Sequence, residues 1–492
     1  MSTSIVSYAF AREYGLFDSG ETNGALNVFF RQDGDLGALS ELQRNSPLPL
    51  SLRILPKDEY QERLAQVFNN VGVSAASLVN DISEVANLSN LLEEMPQLED
   101  LLDAEDNAPV IRLINALLAE ALRKGASDVH FELFEARATV RFRIDGQLCD
   151  VIEPRRGLHS AIVSRIKIMA GLDIAEKRLP QDGRIALRIA GRPVDVRVST
   201  LPTGHGERVV LRLLDKSAGR MELQKLGMRQ DTLMCLQHLL QQPHGILLVT
   251  GPTGSGKTTT LYAALSCMDS TQINIMTVED PIEYDLDGVG QTQINSRIDM
   301  SFARALRAIL RQDPDVIMIG EIRDQETAQI AVQASLTGHL VLATLHTNDA
   351  PSAITRLVDM GIEPFLLASS TIGVLAQRLA RLLCQTCRVA YQADAGELEL
   401  LGVEGVGQPT MLYRASGCPE CNQTGYRGRT GLYELLTVDE TLRTLVHQGG
   451  NEQHIRAQAV QNGMTLLRND GIARVLDGAT TLDEILRVTR DA

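Results

Sequence analysis

The chain has 492 residues, 44% of them hydrophobic and 22% charged, with a formal net charge of −15 at pH 7. At roughly 150 residues per domain that suggests about three units, each long enough to bury its own core. The acidic balance argues against wrapping nucleic acid or lying on anionic lipid, and no apolar run approaches the ~20 residues that a membrane span needs. No signal peptide is read at the start, so the expectation is a cytoplasmic protein that meets the membrane only through protein partners.

Residues 1–91 read as a first, small α/β domain. Seven of the fourteen residues from Glu93 to Asp106 are acidic, so 92–107 is taken as a solvated linker. A second α/β domain is expected over 108–215. It opens with an amphipathic helix from Val110 to Lys124, with Ile111, Ile114, Leu118 and Leu122 at helical spacing and Gly125 placed to stop it. Val140, Phe142 and Ile144 then alternate with Arg141 and Arg143, and Asp145-Gly146 should close a β-hairpin. Residues 216–225 read as a hinge and 226–492 as the largest domain.

That last domain carries the chemistry. Gly251-Pro252-Thr253-Gly254-Ser255-Gly256-Lys257-Thr258 is a complete GxxxxGK[ST] loop. The apolar run Gly245 to Thr250 before it reads as a buried strand, and the stretch from Thr259 to Leu265 after it reads as a helix. Glycines let backbone N–H groups wrap a phosphate chain, and the helix N-terminus adds its positive dipole end. Lys257 would reach the β- and γ-phosphates, Thr258 would place its hydroxyl on Mg²⁺, and Thr259 closes the binding segment. A chance glycine-rich turn would not have strand, loop and helix all in register.

Three downstream segments follow. Thr277-Val278-Glu279-Asp280-Pro281-Ile282-Glu283-Tyr284 packs three acids after an apolar run. Asp315 to Glu321 is an apolar strand ending in a carboxylate, with Gly320 where the metal-associated Asp of such strands usually stands. A strand-end acid beside a phosphate loop can orient or deprotonate the attacking water, which singles out Glu321. Gly338 to Thr347 sets a strand between His339 and His346. Acids near a proline more often mark a solvated turn, and a lone His is more often a satisfied polar residue, so the first and last of these segments are each weak alone.

Cys384 and Cys387, with Cys418 and Cys421, form two C-x-x-C pairs. Four thiolates at one point suit tetrahedral Zn²⁺, with no open position, so the site is read as structural. Disulfides are the competing reading, and a reducing cytosol favours metal. Cys149, Cys235 and Cys267 stand singly and read as small core residues.

In this order, the phosphate loop, TVEDPIEY, the GEIRD-bearing strand and GHLVLATLHTND resemble the four boxes of the secretion ATPase superfamily, from about Val110 to the C-terminus. The resemblance implies an ATP hydrolase with a RecA-like motor domain and a smaller PAS-like α/β domain, using ATP, Mg²⁺ and Zn²⁺. It places Glu321 and Glu279 near the γ-phosphate and water, and makes His346 a sensor of nucleotide state. It also assigns Arg197 and Arg212, on strands of the smaller domain, to nucleotide phosphates, with Arg307, Arg311 and Arg323 as lesser candidates. Any one arginine could instead be a surface charge or a structural ion pair.

The tetracysteine insert, 384–421, is similar to that of type II secretion and pilus-extension ATPases, and Tyr8 to Gly15 resembles the opening of the type II secretion N-terminal domain. Residues 1–91 are therefore expected to dock on the cytoplasmic part of a bitopic inner-membrane secretion protein. The motor is expected as a homo-oligomer of six copies that drives an inner-membrane platform protein and assembles a pseudopilus. A type IV pilus assembly motor is the near alternative. A DNA-translocating conjugation ATPase is the alternative from a different class, disfavoured because no nucleic-acid partner is expected. Glycine-rich Gly425 to Gly431 reads as a tight basic loop, and from Val438 the pattern turns helical.

Overall fold

The computed structural model describes residues 11, 14–22, 25–46, 48–57, 59, 60, 63, 64, 109–189, 192–215, 222–402 and 410–490. The acidic linker, most of the segment from Tyr8 to Gly15, and hinge residues 216–221 lie outside the described residues. The chain divides into two compact units, Met1–Ala218 and Gly219–Ala492. No helix among the described residues is long and apolar enough to cross a membrane.

The first unit contains two sheets. Strands β1 (Leu16–Thr22), β2 (Ala25–Arg31) and β3 (Leu50–Leu55) form one in that order, β1 antiparallel and β3 parallel to β2. Leu26, Val28 and Phe30 alternate into its core. Helix α1 (Leu36–Asn45) connects β2 to β3, its first turn capped by Asp35, which accepts from the amides of Gly37 and Ala38.

The second sheet has six strands, all antiparallel, in the order β6-β5-β4-β9-β8-β7. They are β4 (Ala126–Leu133), β5 (Ala138–Ile144), β6 (Gln147–Ile152), β7 (Gln181–Ile189), β8 (Arg192–Thr203) and β9 (Gly206–Asp215). The expected helix is α2 (Pro109–Arg123), and Gly125 has the left-handed φ of +67°. Asp145 and Gly146 both have positive φ, 47° and 84°, as a two-residue hairpin turn between β5 and β6 requires. Val129, Phe131, Val140, Phe142, Val196 and Leu211 form an apolar face that packs on α2 and α3 (His159–Met169). The opposite, polar face carries one cross-strand row of Arg143, Asp128, Arg212, Arg197 and Arg184.

The second unit is built on a seven-stranded sheet of order β12-β11-β13-β14-β10-β15-β18. The strands are β10 (Gly245–Thr250), β11 (Ile275–Glu279), β12 (Val289–Gln293), β13 (Val316–Ile319), β14 (Leu340–Leu345), β15 (Thr371–Leu383) and β18 (Tyr426–Thr437). All neighbours run parallel except β15 and β18. Every residue of β10 is buried, with Ile246 and Leu248 in the core on one face and Leu247 and Val249 in the core on the other. That two-sided burial is why this strand reads as an unbroken apolar run.

Around the sheet lie α4 (Gln230–Leu240), α5 (Lys257–Leu265), α6 (Phe302–Ile309), α7 (Gln325–Leu336), α8 (Ala350–Asp359) and α9 (Pro364–Ser370). Strands β16 (Val389–Gln392) and β17 (Met411–Arg414) form a small ribbon with α10 (Ala395–Leu401) between them in sequence. The C-terminal helices are α11 (Glu440–His447), α12 (Glu452–Gln461), α13 (Leu467–Leu476) and α14 (Leu482–Val488). Two expectations change. Of the single cysteines expected as small core residues, Cys149 and Cys235 are half-buried and Cys267 is exposed. The segment expected as a tight loop at Gly425 to Gly431 is mostly the start of β18, where Arg429 and Thr430 pair with Arg381 and Ala380 across the sheet. The glycines there mislead because pairing to a thirteen-residue neighbour outweighs local turn propensity.

Candidate active site

The phosphate loop leaves the C-terminal end of β10 and enters α5, at the carboxyl edge of a parallel sheet where α/β folds bind ligands. Gly256 caps the helix with φ +89°, a left-handed conformation that a side chain would strain. Pro252, Thr253 and Gly254 are exposed at the loop tip, as is Thr258, while Gly251 and Ser255 are buried and Thr259 is half-buried. Lys257 folds back over the loop, and its Nζ donates to the carbonyls of Gly251 (2.7 Å) and Pro252 (3.2 Å). Burial lowers the Lys257 pKa to about 8, the charge of Arg378 pushing the same way and Glu321 opposing.

Across the mouth of the loop, His346 Nδ1 lies 3.5 Å from Lys257 Nζ, and its Nε2 lies 2.8 Å from Glu321 Oε1. Arg323 Nε donates to the other carboxylate oxygen of Glu321 at 2.7 Å, and an Nη of Arg323 lies 3.9 Å from Asp280. Lys257, His346, Glu321 and Arg323 thus form one chain of polar contacts with a basic group at each end. Gly320 is glycine for a steric reason. A Cβ there would meet Val278 O at 3.2 Å and Glu279 Cα at 3.3 Å, so the acid usual at this position would crowd the neighbouring strand.

Glu279 is placed differently. It is 3% exposed at the end of β11, and its carboxylate accepts from Thr277 Oγ1 (2.5 Å), Gln291 Nε2 (3.1 Å) and the Tyr262 hydroxyl. Tyr262 belongs to α5, so Glu279 is tied to the helix that begins at the phosphate loop. The hydrogen bonds recorded for Glu279 among the described residues go to none of Lys257, His346 or Glu321.

His339 is also structural here, its Nδ1 bonding Ala334 O at 2.8 Å beyond the end of α7. Arg307 pairs with Glu326 at 2.5 Å, and Arg311 donates to Arg307 O. In the first unit, Arg212 and Arg197 are cross-strand neighbours, and Arg212 Nε donates to buried Asp128 at 3.0 Å.

Two site residues escaped the sequence reading. Gln377 and Arg378, both buried, interrupt the apolar strand β15. Gln377 Nε2 donates to Ser255 O at 2.6 Å, and Arg378 holds Asn348 through its carbonyl (3.0 Å) and its side chain (3.1 Å). Adjacent polar residues inside an otherwise apolar strand were the available signal.

The four cysteines converge. Their sulfurs lie within 4.8 Å of one another, with Cys384–Cys418 and Cys387–Cys421 at 3.8 Å and Cys418–Cys421 at 3.7 Å. Burial works against a Cys421 thiolate, but the amides of Cys418 (3.1 Å) and Gly425 (3.2 Å) outweigh it and bring its pKa down to about 6. This donor set could hold a metal ion, and four sulfurs suit a thiophilic one.

Residues 103–487 match the family model described as "Type II/IV secretion system protein", and residues 6–68 match the model of an N-terminal domain of "GSPII protein E". The chain is 60% identical over 490 residues to the type II secretion system protein HxcR of Pseudomonas aeruginosa, covering 99% of this chain and 100% of that one. The chain belongs to the type II secretion ATPase family. It is also 54% identical over 491 residues to the type II secretion system ATPase E of Vibrio cholerae, covering 99% and 96%. Among solved structures, the pilus retraction motor PilT with bound ADP aligns with a TM-score of 0.52 at 26% identity, covering 75% of this chain and 95% of that one. The Legionella pneumophila ATPase DotB aligns at 0.58 and 18% identity, covering 81% and 98%, a likeness of fold. This secretion ATPase therefore hydrolyses ATP with the P-loop domain described above.

Proposed function

We propose that this ATPase powers assembly of a type II secretion pseudopilus, with its hydrolytic centre at Lys257, His346 and Glu321. The observation that carries the reading is the contact chain joining the phosphate-loop lysine to a strand-end carboxylate through one histidine. The loop from Gly251 to Thr259, through the backbone N–H groups of its residues other than Pro252, and the Lys257 ammonium hold the β- and γ-phosphates. The Thr258 hydroxyl would hold Mg²⁺, which would supply charge neutralisation for the nucleotide phosphates. Glu321 orients and deprotonates the attacking water, while Arg323 fixes its second oxygen. His346, touching both Glu321 and Lys257, registers whether a γ-phosphate lies between them. Glu279, enclosed by three donors, serves as a brace under α5 and is the second choice for the base. The phosphate-contact roles of Arg197 and Arg212 rest on the family resemblance.

The metal is assigned as structural zinc. A tetrahedron of sulfurs about 2.3 Å from its centre has edges of about 3.8 Å, close to the 3.7–3.8 Å of Cys384–Cys418, Cys387–Cys421 and Cys418–Cys421, with all four sulfurs within 4.8 Å of one another. Six copies form the working ring, the domains divide at 91, 107, 215 and 225, and residues 1–91 dock on a bitopic inner-membrane protein. Work is delivered to an inner-membrane platform from the cytoplasmic side.

The match of residues 6–68 to a secretion-specific domain favours this reading over pilus assembly. Affinity capture with the full-length chain from detergent-solubilised inner membranes tests it. Retention of a single-span secretion protein is expected. Retention of pilus-assembly components alone would overturn it, and DNA-stimulated hydrolysis with a steep salt dependence would point instead to a translocase.

A further inference from the structure

Gln377 flanks the phosphate loop at both of its ends. Its carbonyl lies 2.5 Å from where a Cβ on Gly251 would stand, and its side-chain nitrogen lies 3.1 Å from the equivalent point on Gly256. The residue is 1% exposed, and its Nε2 donates to Ser255 O at 2.6 Å. Only the amide NH₂ can face a carbonyl, so the orientation of this side chain is fixed by its partner. Among the described residues, neither Gln377 Oε1 nor the nearby Ser255 Oγ, both buried, has a hydrogen-bond partner.

The consequence runs through one peptide plane. In a trans peptide the C=O and N–H point in opposite directions. Holding the Ser255 carbonyl towards β15 therefore turns the Gly256 N–H away from β15, into the concavity of the loop. We propose that Gln377 is a positioning residue for nucleotide binding, setting the Gly256 amide as a preformed phosphate donor by clamping the Ser255 carbonyl from behind. The strand register makes this possible. Thr250 pairs with Ala376, so Gln377 stands one step beyond the last residue of β10, level with the start of the loop. The assignment rests on the nucleotide reading of the loop, and the wild type tests that reading separately.

The experiment compares full-length wild type with Gln377→Met, which keeps the volume and removes the donor, and with Gln377→Leu, which removes both polar atoms. MgADP titration, steady-state ATPase kinetics and nucleotide-free thermal unfolding are read for each. Loss of one preorganised donor to phosphate should raise the MgADP Kd and the ATP KM of Gln377→Met about tenfold, with kcat changed less than about threefold. Met strands the Ser255 carbonyl and removes the unpartnered oxygen, two opposed effects, so the nucleotide-free midpoint should stay within about 2 °C. Gln377→Leu should weaken binding at least as much. Wild-type Kd and KM in Gln377→Met would overturn the proposal. So would a lowered nucleotide-free midpoint accompanied by unchanged affinity, the result a purely structural glutamine gives. A wild type that binds no MgADP would instead remove the nucleotide reading itself, and this proposal with it.

Discussion

Lys257 gives the sharpest pH prediction. Its pKa stands at about 8 in the free protein against an ordinary 10.5, mainly because the ammonium is taken out of water. Phosphate oxygens stabilise the charged form, so the bound-state pKa must be higher, and binding above about pH 8 takes up a proton. The ammonium is about nine-tenths populated at pH 7, about half at pH 8 and about one in eleven at pH 9. The apparent Kd for MgADP should therefore weaken about twofold by pH 8 and about tenfold by pH 9. The nucleotide phosphates, with a second pKa near ~6, are already ionised over this range and contribute no slope of their own.

Unfolding gives the opposite sign. Burial of the charged lysine costs stability below about pH 8, and this cost is relieved as pH rises from about 8 towards 10.5. Weaker binding from this group therefore cannot be loss of fold. The assay is an anisotropy titration with labelled ADP at constant ionic strength from pH 7 to pH 9.5. In Lys257→Met, binding should be weak and flat with pH. A wild-type Kd that stays flat to pH 9.5 would refute the reasoning.

Two other perturbations probe the cysteine cluster and the packing behind the site. Purified wild type should carry about one zinc ion per chain by elemental analysis, and Cys421→Ser under about one tenth of that, with a lower unfolding midpoint. A metal-free wild type with an unaltered midpoint in the variant would contradict a structural metal. Buried Glu434 accepts the Ala350 amide at 2.9 Å and the Leu467 amide at 3.1 Å, joining the starts of α8 and α13 to β18. Glu434→Leu strands both donors and should cost about 2–4 kcal/mol in urea unfolding, and a loss below about 1 kcal/mol would contradict that role.

The legible parts of the chain were those with a local physical signature. The loop from Gly251 to Thr258 announces itself because its chemistry needs glycines and a lysine at fixed spacing between a buried strand and a helix. The four cysteines do so because metal spacing is short-range within each pair. The hairpin at Asp145-Gly146 is likewise legible, since its two positive φ values restrict the residue types. What stayed hidden depends on contacts distant in sequence. Gln377 lies 122 positions from Ser255, and nothing in the strand itself says which loop it will face. Glu279 and Glu321 both follow apolar strands, and the ranking of Glu321 first leaves open which of them faces the phosphate loop. Tyr262 and Gln291 enclose the first, His346 and Arg323 line the second, and that difference exists only after folding. The start of β18 was masked by glycines whose strand pairing is set from across the sheet.

The most direct test of the central claim is Glu321→Gln in the full-length protein, with MgATP binding and single-turnover hydrolysis measured on the same preparation. If Glu321 activates water at the loop of Lys257, the variant should bind MgATP within about threefold of wild type while hydrolysis slows about 10²–10⁴-fold. Hydrolysis within about tenfold of wild type, together with its loss in Glu279→Gln, would move the base to Glu279 and contradict the account.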